Sequence, residues 1–346
     1  MSTAPRPAKA RKRPNNRAPA ITILDVAVLA GVSAMTVSRA LNTPDKVAPA
    51  TVVRVRDAVA RTGFVPNMLA GALSSQRTRL VAAIIPEMAN TLFARTVQSF
   101  CDVMSDAGYQ VLFGLSGYPD SQEEDLLTAI LARRPDALCL TGLERSPDMR
   151  RKLIAAGIPI VETWDLTATP LDLVVGFSHL ECGRAIGRWM LGKGYRSIAA
   201  VWSDDRRATT RLRALQQALQ EQGAPAARED TGPAPSTLRK GRDGLARLLD
   251  AGPLPEVIAC SSDALAQGVM AEALSRGLRI PQDLAVIGFG DVDAAACTFP
   301  TLTSVRIESA DIGRLAAEGL LRRLAGDRSG PAVIDTGFSF VERGST

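Results

Sequence analysis

Histidine is almost missing from this chain: His179 is the only one in 346 residues. That excludes a three-histidine metal site and every two-histidine zinc motif. Aromatic residues make up only 4%, too few for the stacking platforms that hold unpaired RNA bases. The five cysteines, Cys101, Cys139, Cys182, Cys260 and Cys297, are scattered and form no C-x-x-C pair. They read as reduced, mostly buried thiols. No run approaches the roughly 20 apolar residues of a membrane span. No apolar signal segment follows the basic N-terminus, so a cytoplasmic protein without a membrane partner is expected. Gly288-Phe-Gly290 lacks the third glycine and the downstream acid of a dinucleotide fingerprint, and no phosphate-loop lysine motif exists. No cofactor and no metal are expected. His179 has no visible nucleophile partner, so a helix-start or pocket-edge role is expected of it and the chain is not read as an enzyme. The acid pairs Asp204-Asp205 and Glu123-Glu124 read as solvated loop or helix-start charges.

What is present is charge, unevenly spread. The formal net charge is +5, from 41 Lys+Arg against 36 Asp+Glu. Residues 1–20 carry Arg6, Lys9, Arg11, Lys12, Arg13 and Arg17 with no acid, a net +6. Residues 21–79 add +4, and the rest of the chain is −5. A basic head on an acidic body points to an anionic polymer at one end. The length, with 46% apolar and 22% charged residues, suits two or three domains with a substantial core.

Residues 1–20, rich in Pro, Ala, Arg and Asn, read as a disordered basic tail, either inert or a phosphate-binding arm. Residues 21–66 read as a helix-turn-helix unit. Thr22 can cap a helix over Leu24–Ala30 that places Leu24, Ala27, Val28 and Leu29 around a small core. Gly31 can end it. Ser33 can cap a second helix, Ala34–Leu41, with Val37 and Leu41 inward and Met35, Thr36, Ser38 and Arg39 around the other side. A third helix, Pro49–Thr62, carries Val52, Val55 and Val59 on one face. Residues 67–79 read as a short segment of marginal helicity and a linker.

From Leu80 a strand-helix rhythm begins and extends to about residue 340. The apolar runs are Leu80–Ile85, Tyr109–Leu115, Ala137–Thr141, Pro159–Glu162, Leu173–Phe177, Ser197–Trp202, Val257–Ser261 and Leu284–Phe289. Amphipathic segments separate them, which calls for parallel strands covered on both faces. Breaks at 160–178 and 223–237 favour two open sheets over one closed barrel, with a ligand cleft at the carboxyl ends of the strands.

The stretch Thr22-Ile-Leu-Asp-Val-Ala-Val-Leu-Ala-Gly-Val-Ser-Ala-Met-Thr-Val-Ser-Arg-Ala-Leu-Asn42 resembles the DNA-binding head of the lactose-repressor (LacI/GalR) family. Phe64-Val-Pro-Asn67, with Ala70 and Leu73, matches that family's second signature. The resemblance covers roughly residues 21–340. It implies a small all-α helix-turn-helix head and an α/β periplasmic-binding-protein-like core of two parallel-sheet subdomains. Arg39 has a planar fork suited to guanine or to a phosphate. Thr22, Ser33, Thr36 and Ser38 are short donors suited to phosphates. The resemblance puts Ala34 and Met35 at base-reading positions and includes Asn42 in the DNA-binding set. It also makes the segment from Asn67 through Ala70 to Leu73 a hinge helix, in which Leu73 wedges into the minor groove.

Within that family the chain is similar to gluconate-operon repressors, through Glu162-Thr-Trp-Asp-Leu166, Leu171–Phe177 and Asp335–Ser339 with Gly344-Ser345. Carried over position by position, Phe93, Asp165, Phe177, Arg211, Ser262 and Asp291 become the expected effector contacts. Ser262 stands where Asn is common. Gly290 stands where an Asp often binds a sugar hydroxyl, leaving Asp291 beside it. Arg211 suits a carboxylate and Asp165 suits hydroxyls. The expectation is a homodimeric repressor of double-stranded operator DNA, released by a small sugar acid such as gluconate or a ketogluconate. A corepressor-dependent regulator, or a cytoplasmic sugar-binding or sugar-modifying protein with an accessory head, remain the alternatives.

Overall fold

The computed structural model describes residues 21–65, 77–117 and 123–346. The chain divides into two compact units, Met1–Gln76 and Arg77–Thr346.

In the first unit, α1 (Ile23–Ala30) and α2 (Ala34–Asn42) meet at 97° and α3 (Pro49–Thr62) supports them. The Thr22 amide and hydroxyl both donate to Asp25, at 2.7 and 2.8 Å, which fastens the first turn of α1. Gly31 takes φ +64, a conformation a side chain would resist, and turns the chain toward α2. Ser33 Oγ then accepts from the Thr36 amide at 3.2 Å and starts that helix. Val26, Ala27, Ala30, Val37, Ala40, Val52, Val55 and Ala58 form the core.

This corrects the expected inner face of α1. Leu24 and Val28 are 64% and 84% exposed, and Leu29 is exposed as well. Seven of the eight α1 residues are apolar, so periodicity could not choose a stripe. The small side chains of Ala27 and Ala30 let the neighbouring helices approach, and Asp25, tied back to Thr22, turns the opposite face to solvent. Leu41 and Val59 pack only at the edge of this core, where Ala40 and Ala58 take the inner positions.

The second unit has two lobes. In lobe one, β1 (Leu80–Ile85), β2 (Gln110–Leu115), β3 (Ala137–Thr141), β4 (Ile160–Thr163) and β5 (Leu173–Gly176) alternate with α4 (Thr91–Asp106), α5 (Glu123–Leu131) and α6 (Pro147–Ala155). In lobe two, α7 (His179–Gly192) leads to β6 (Ile198–Ser203), α8 (Arg206–Glu221), β7 (Arg228–Gly232), α9 (Leu238–Asp250), β8 (Val257–Cys260), α10 (Asp263–Ser275), β9 (Ala285–Gly290) and β10 (Thr303–Arg306). The chain then returns through α11 (Ser309–Leu324) and β11 (Val333–Asp335) to lobe one, and ends with β12 (Ser339–Val341) in lobe two. The sheet orders are β11-β5-β4-β3-β1-β2 and β12-β10-β9-β8-β6-β7. Two open sheets therefore form, not one barrel. Every strand pair is parallel except β10 with β12.

Glycines set the spacing of the helix layers. A Cβ on Gly268 of α10 would lie 2.0 Å from the Leu238 carbonyl oxygen at the start of α9, and one on Gly241 of α9 would lie 2.1 Å from the Leu265 carbonyl oxygen. Both obstacles are backbone, so two helices would have to separate. Gly268→Ala is expected to destabilise by about 1–3 kcal/mol, lowering the melting midpoint by about 2–4 °C per kcal/mol. A thermal melt with an unchanged midpoint would contradict this close approach.

Glu123 departs from the solvated role expected of it. It is buried, and its Oε1 accepts from Arg145 Nη2 at 2.9 Å. Arg145 also lies 3.5 Å from the buried Glu162 carboxylate, so one cation serves two acids inside lobe one. Cys139, Cys182 and Cys260 are buried, Cys101 half-buried and Cys297 exposed. Burial pushes the Cys139 and Cys182 thiols up to about 12, which leaves them inert.

Candidate functional site

On α2 the outward stripe is Met35, Arg39 and Asn42, spaced i, i+4, i+7. Met35 is 66% exposed. The Arg39 guanidinium is exposed and has no hydrogen bond or ion pair among the described residues. Thr36 and Ser38 are half-buried, with Thr36 Oγ1 2.9 Å from Ser33 Oγ and Ser38 Oγ 3.4 Å from Asn42 Nδ2. Ala34 sits half-buried in the first turn, beside the exposed Ser33. Arg39, Lys46, Arg54, Arg56 and Arg61 are all exposed, against Asp25, Asp45 and Asp57. The unit thus offers a helix with an exposed, unpaired guanidinium on a positive surface, the arrangement that enters a major groove. Asn67, Ala70 and Leu73 lie outside the described residues, as does the tail 1–20.

The second site is the cleft between the two lobes of the core. Its walls come from the carboxyl ends of β1, β4, β5, β6, β8 and β9, where parallel strands leave room for a ligand. Helix starts order these loops: Asn90, Ser178, Asp205 and Ser262 accept from the amides of Leu92, Glu181, Ala208 and Leu265. The cavity they enclose has a volume of about 470 Å³. Phe93 and Trp164 meet edge to face on its wall, with centroids 5.0 Å apart. Trp164 holds φ +72, a backbone conformation costly for a bulky residue.

Arg211 of α8 is buried in this wall, its guanidinium lying 3.8 Å over the Phe289 ring. Nη1 donates to His179 Nδ1 at 2.9 Å and Nη2 to the Ser261 carbonyl at 3.1 Å. Among the described residues no carboxylate lies within ion-pair distance of it. Burial pulls its pKa down, an effect Asp205 partly offsets from a distance. Arg207, one turn earlier, is neutralised instead: its Nε donates to Asp165 at 2.8 Å across the cleft. Burial raises the Asp165 carboxyl against the pull of Arg207. Beyond this pair a second chamber of about 560 Å³ opens, crossed by the ion pair of Arg206 with Glu144. Asp263, also on the wall, accepts from the Ser304 hydroxyl at 2.6 Å and the Val292 amide at 2.8 Å; burial pushes its carboxyl up to about 6.

A profile of bacterial regulatory proteins of the lacI family matches residues 22–67, and one of a periplasmic binding protein-like domain matches residues 188–346. The HTH-type transcriptional regulator GntR of Pseudomonas aeruginosa is 38% identical over 327 residues, covering 94% of this chain and 95% of that one. The chain belongs to the lacI family. A lacI-family transcriptional regulator from Silicibacter pomeroyi superposes with a TM-score of 0.89 at 33% identity, over 94% of this chain and 99% of its own. The transcription regulator GntR from Chromobacterium violaceum gives a TM-score of 0.73 at 36% identity, over 77% and 98%. This lacI-family chain is a DNA-binding transcriptional regulator with a helix-turn-helix head and a periplasmic-binding-protein-like core. Among its described residues no single helix is long and apolar enough to cross a membrane, and no group of three or more His, Cys, Asp or Glu could hold a metal ion.

Of the six expected effector contacts in this lacI-family core, Phe93, Arg211 and Ser262 stand together on the 470 Å³ cavity. Asp165 borders the neighbouring chamber and meets the cavity wall through Arg207 and His179, at 2.8 and 3.5 Å. Phe177 is not on the wall: it is fully buried behind it, its ring tilted 57° against that of His179 with centroids 4.4 Å apart. Asp291 is turned away as well. It takes φ +51, and its carboxylate accepts from Arg306 at 2.7 Å and Arg343 at 2.6 Å. Burial pushes that carboxyl up, but the Arg343 and Arg306 guanidiniums hold it below the usual range. Gly290 takes φ +123, a backbone conformation that side chains rarely adopt, which disfavours an acid at that position. His179 fills both expected roles, as the first residue of α7 and a member of the wall. Trp164, Ser203 and Arg207 were missed. The i, i+4 spacing of Arg207 and Arg211 is visible in the sequence, and both lie on α8, which begins at Arg206.

Proposed function

We propose that this lacI-family regulator is a homodimeric repressor of a near-palindromic operator, and that a small sugar acid bound in the core cleft releases it. Arg211 carries the reading. A buried cation without an anion is costly, and proteins leave one in place where a ligand completes it. Three buried polar atoms without partners among the described residues, Trp164 Nε1, Ser203 Oγ and Arg211 Nε, belong to residues of the same wall. Two of them can only donate, which suits an oxygen-rich anion such as gluconate or a ketogluconate. Asn90, Ser236, Thr237 and Gln267 offer further contacts to sugar hydroxyls.

The effector can lower operator affinity only if it binds the DNA-incompetent state better. A coupling of about 1–3 kcal/mol would change operator affinity about 5–150-fold. Operator fragments selected from random duplexes, titrated with full-length protein at fixed salt with and without gluconate and 2-ketogluconate, test this. Loss of retention in that range is expected. Retention indifferent to every sugar acid would overturn the effector class, and strengthened retention would make the ligand a corepressor. Absence of sequence-selective retention would contradict the operator reading itself. For the hinge, Leu73→Ala is expected to weaken specific binding much more than non-specific binding. Equal losses would remove the wedge role.

A further inference from the structure

We infer that His179, the chain's only histidine, is a positioning residue that holds the Arg211 guanidinium as an anion receptor without neutralising it. The inference rests on the sugar-acid reading of the cleft. A guanidinium can only donate and a carbonyl can only accept. With Arg211 Nη1 at 2.9 Å from Nδ1 and the Trp164 carbonyl oxygen at 2.8 Å from Nε2, the ring must accept at Nδ1 and carry its proton on Nε2. That is one neutral tautomer, set from both sides. The charged groups facing the ring are Arg211 and Arg207 from α8 and Asp165 from the loop after β4, whose Oδ1 lies 3.5 Å from Nε2. Burial first, and then these two cations, hold the imidazole far below its usual pKa, so it stays neutral.

The contrast within α8 shows what this arrangement does. Arg207 meets a carboxylate at 2.8 Å and its charge is spent on the fold. Arg211 meets an imidazole nitrogen, a backbone carbonyl and the face of Phe289. These fix its orientation while leaving its charge for a ligand. The far side of the relay is anchored in lobe one, because Trp164 follows β4 and its carbonyl direction depends on the φ of +72. Pre-ordering the guanidinium removes a cost that ligand binding would otherwise bear.

The decisive comparison is His179→Asn with His179→Asp, two side chains of nearly equal shape that both accept from Arg211. Only the aspartate neutralises it. Calorimetric titration of the full-length protein with gluconate is expected to give an affinity about three- to tenfold weaker than wild type for the asparagine variant, which keeps the acceptor for Arg211 but is too short to reach the Trp164 carbonyl. A loss of about 30-fold or more is expected for the aspartate variant, from anion–anion repulsion in a low-dielectric site. The aspartate variant should melt no lower than the asparagine variant, since it gains a buried ion pair. Nitrogen-15 imidazole spectra of the wild-type protein, unambiguous with one histidine, should show Nδ1 unprotonated at neutral pH. Equal gluconate affinity in the two variants, or a protonated Nδ1, would overturn the positioning role while leaving the sugar-acid reading intact. Failure of the wild-type protein to bind gluconate or 2-ketogluconate would instead overturn the sugar-acid reading, and this inference with it.

Discussion

Arg211→Met is expected to abolish the response to sugar acids while the ligand-free protein stays folded and bound to its operator. Methionine is unbranched and adaptable, so it can occupy the slot over Phe289. The ligand carboxylate would then enter a buried site with no cation to meet it. Truncating one partner of a buried, hydrogen-bonded charge pair costs about 2–5 kcal/mol, which is about 30-fold to several thousand-fold in affinity. Stability should move the other way. The buried guanidinium has no carboxylate partner among the described residues, and replacing a buried charge by a packed apolar side chain is neutral or stabilising. Gluconate calorimetry and a thermal melt on the same preparation check both halves. Undiminished binding would put the ligand's charge elsewhere in the cleft. A much lower melting midpoint would mean that the bonds to His179 and Ser261 contribute more to the fold than the buried charge costs.

The second large effect belongs to the head. Arg39→Ala is expected to cost about 1–3 kcal/mol of specific operator affinity per head, as for loss of a bidentate contact to a base edge. In a homodimer both heads carry the change, so the loss doubles. The Arg39 guanidinium has no partner among the described residues and lies on the same outward stripe as Met35 and Asn42. The substitution therefore leaves the head's core packing intact, and the head should fold as before. Competition titrations with specific and random duplexes over a range of salt separate the two ways Arg39 can act. If Arg39 reads a base, specific affinity falls with little change in the salt slope. If it sits on a phosphate, binding to all sequences weakens alike and the slope falls by about one for each phosphate no longer neutralised. The base-reading outcome is the one expected. Uniform weakening with a shallower slope would move Arg39 to the phosphate backbone.

Much of the architecture was legible because long apolar runs are hard to mistake. Leu80–Ile85 and Ala137–Thr141 form strands over the expected residues, and Pro49–Thr62 forms the expected helix. Four strands were not legible. β7 (Arg228–Gly232) is a polar edge strand whose residues alternate between half-buried and exposed, so it shows no apolar run. β10, β11 and β12 span only three or four residues each, too short for a period to register. Their partners lie far away in sequence: β11 pairs with β5 and β12 with β10. In the cleft, Arg211 was legible as a side chain suited to a carboxylate. Its isolation from acids was not, because that depends on Asp165 choosing Arg207.

The sparse histidine and the uneven charge are properties of the chain itself. They suffice to exclude histidine metal sites and to mark one end for an anionic polymer, since charge and residue type act wherever the chain goes. The head's motif and the strand-helix rhythm are local too, and they specify two units before any packing is known. Which side chains meet in the cleft was settled only by tertiary structure. The Asp291 carboxylate is held by Arg306 and Arg343, Phe177 lies behind the wall, and His179 lies between Arg211 and the Trp164 carbonyl. Each of these outcomes depends on pairings between residues far apart in the chain. Burial makes a charge seek whichever partner the fold brings within reach, and sequence spacing does not encode that distance.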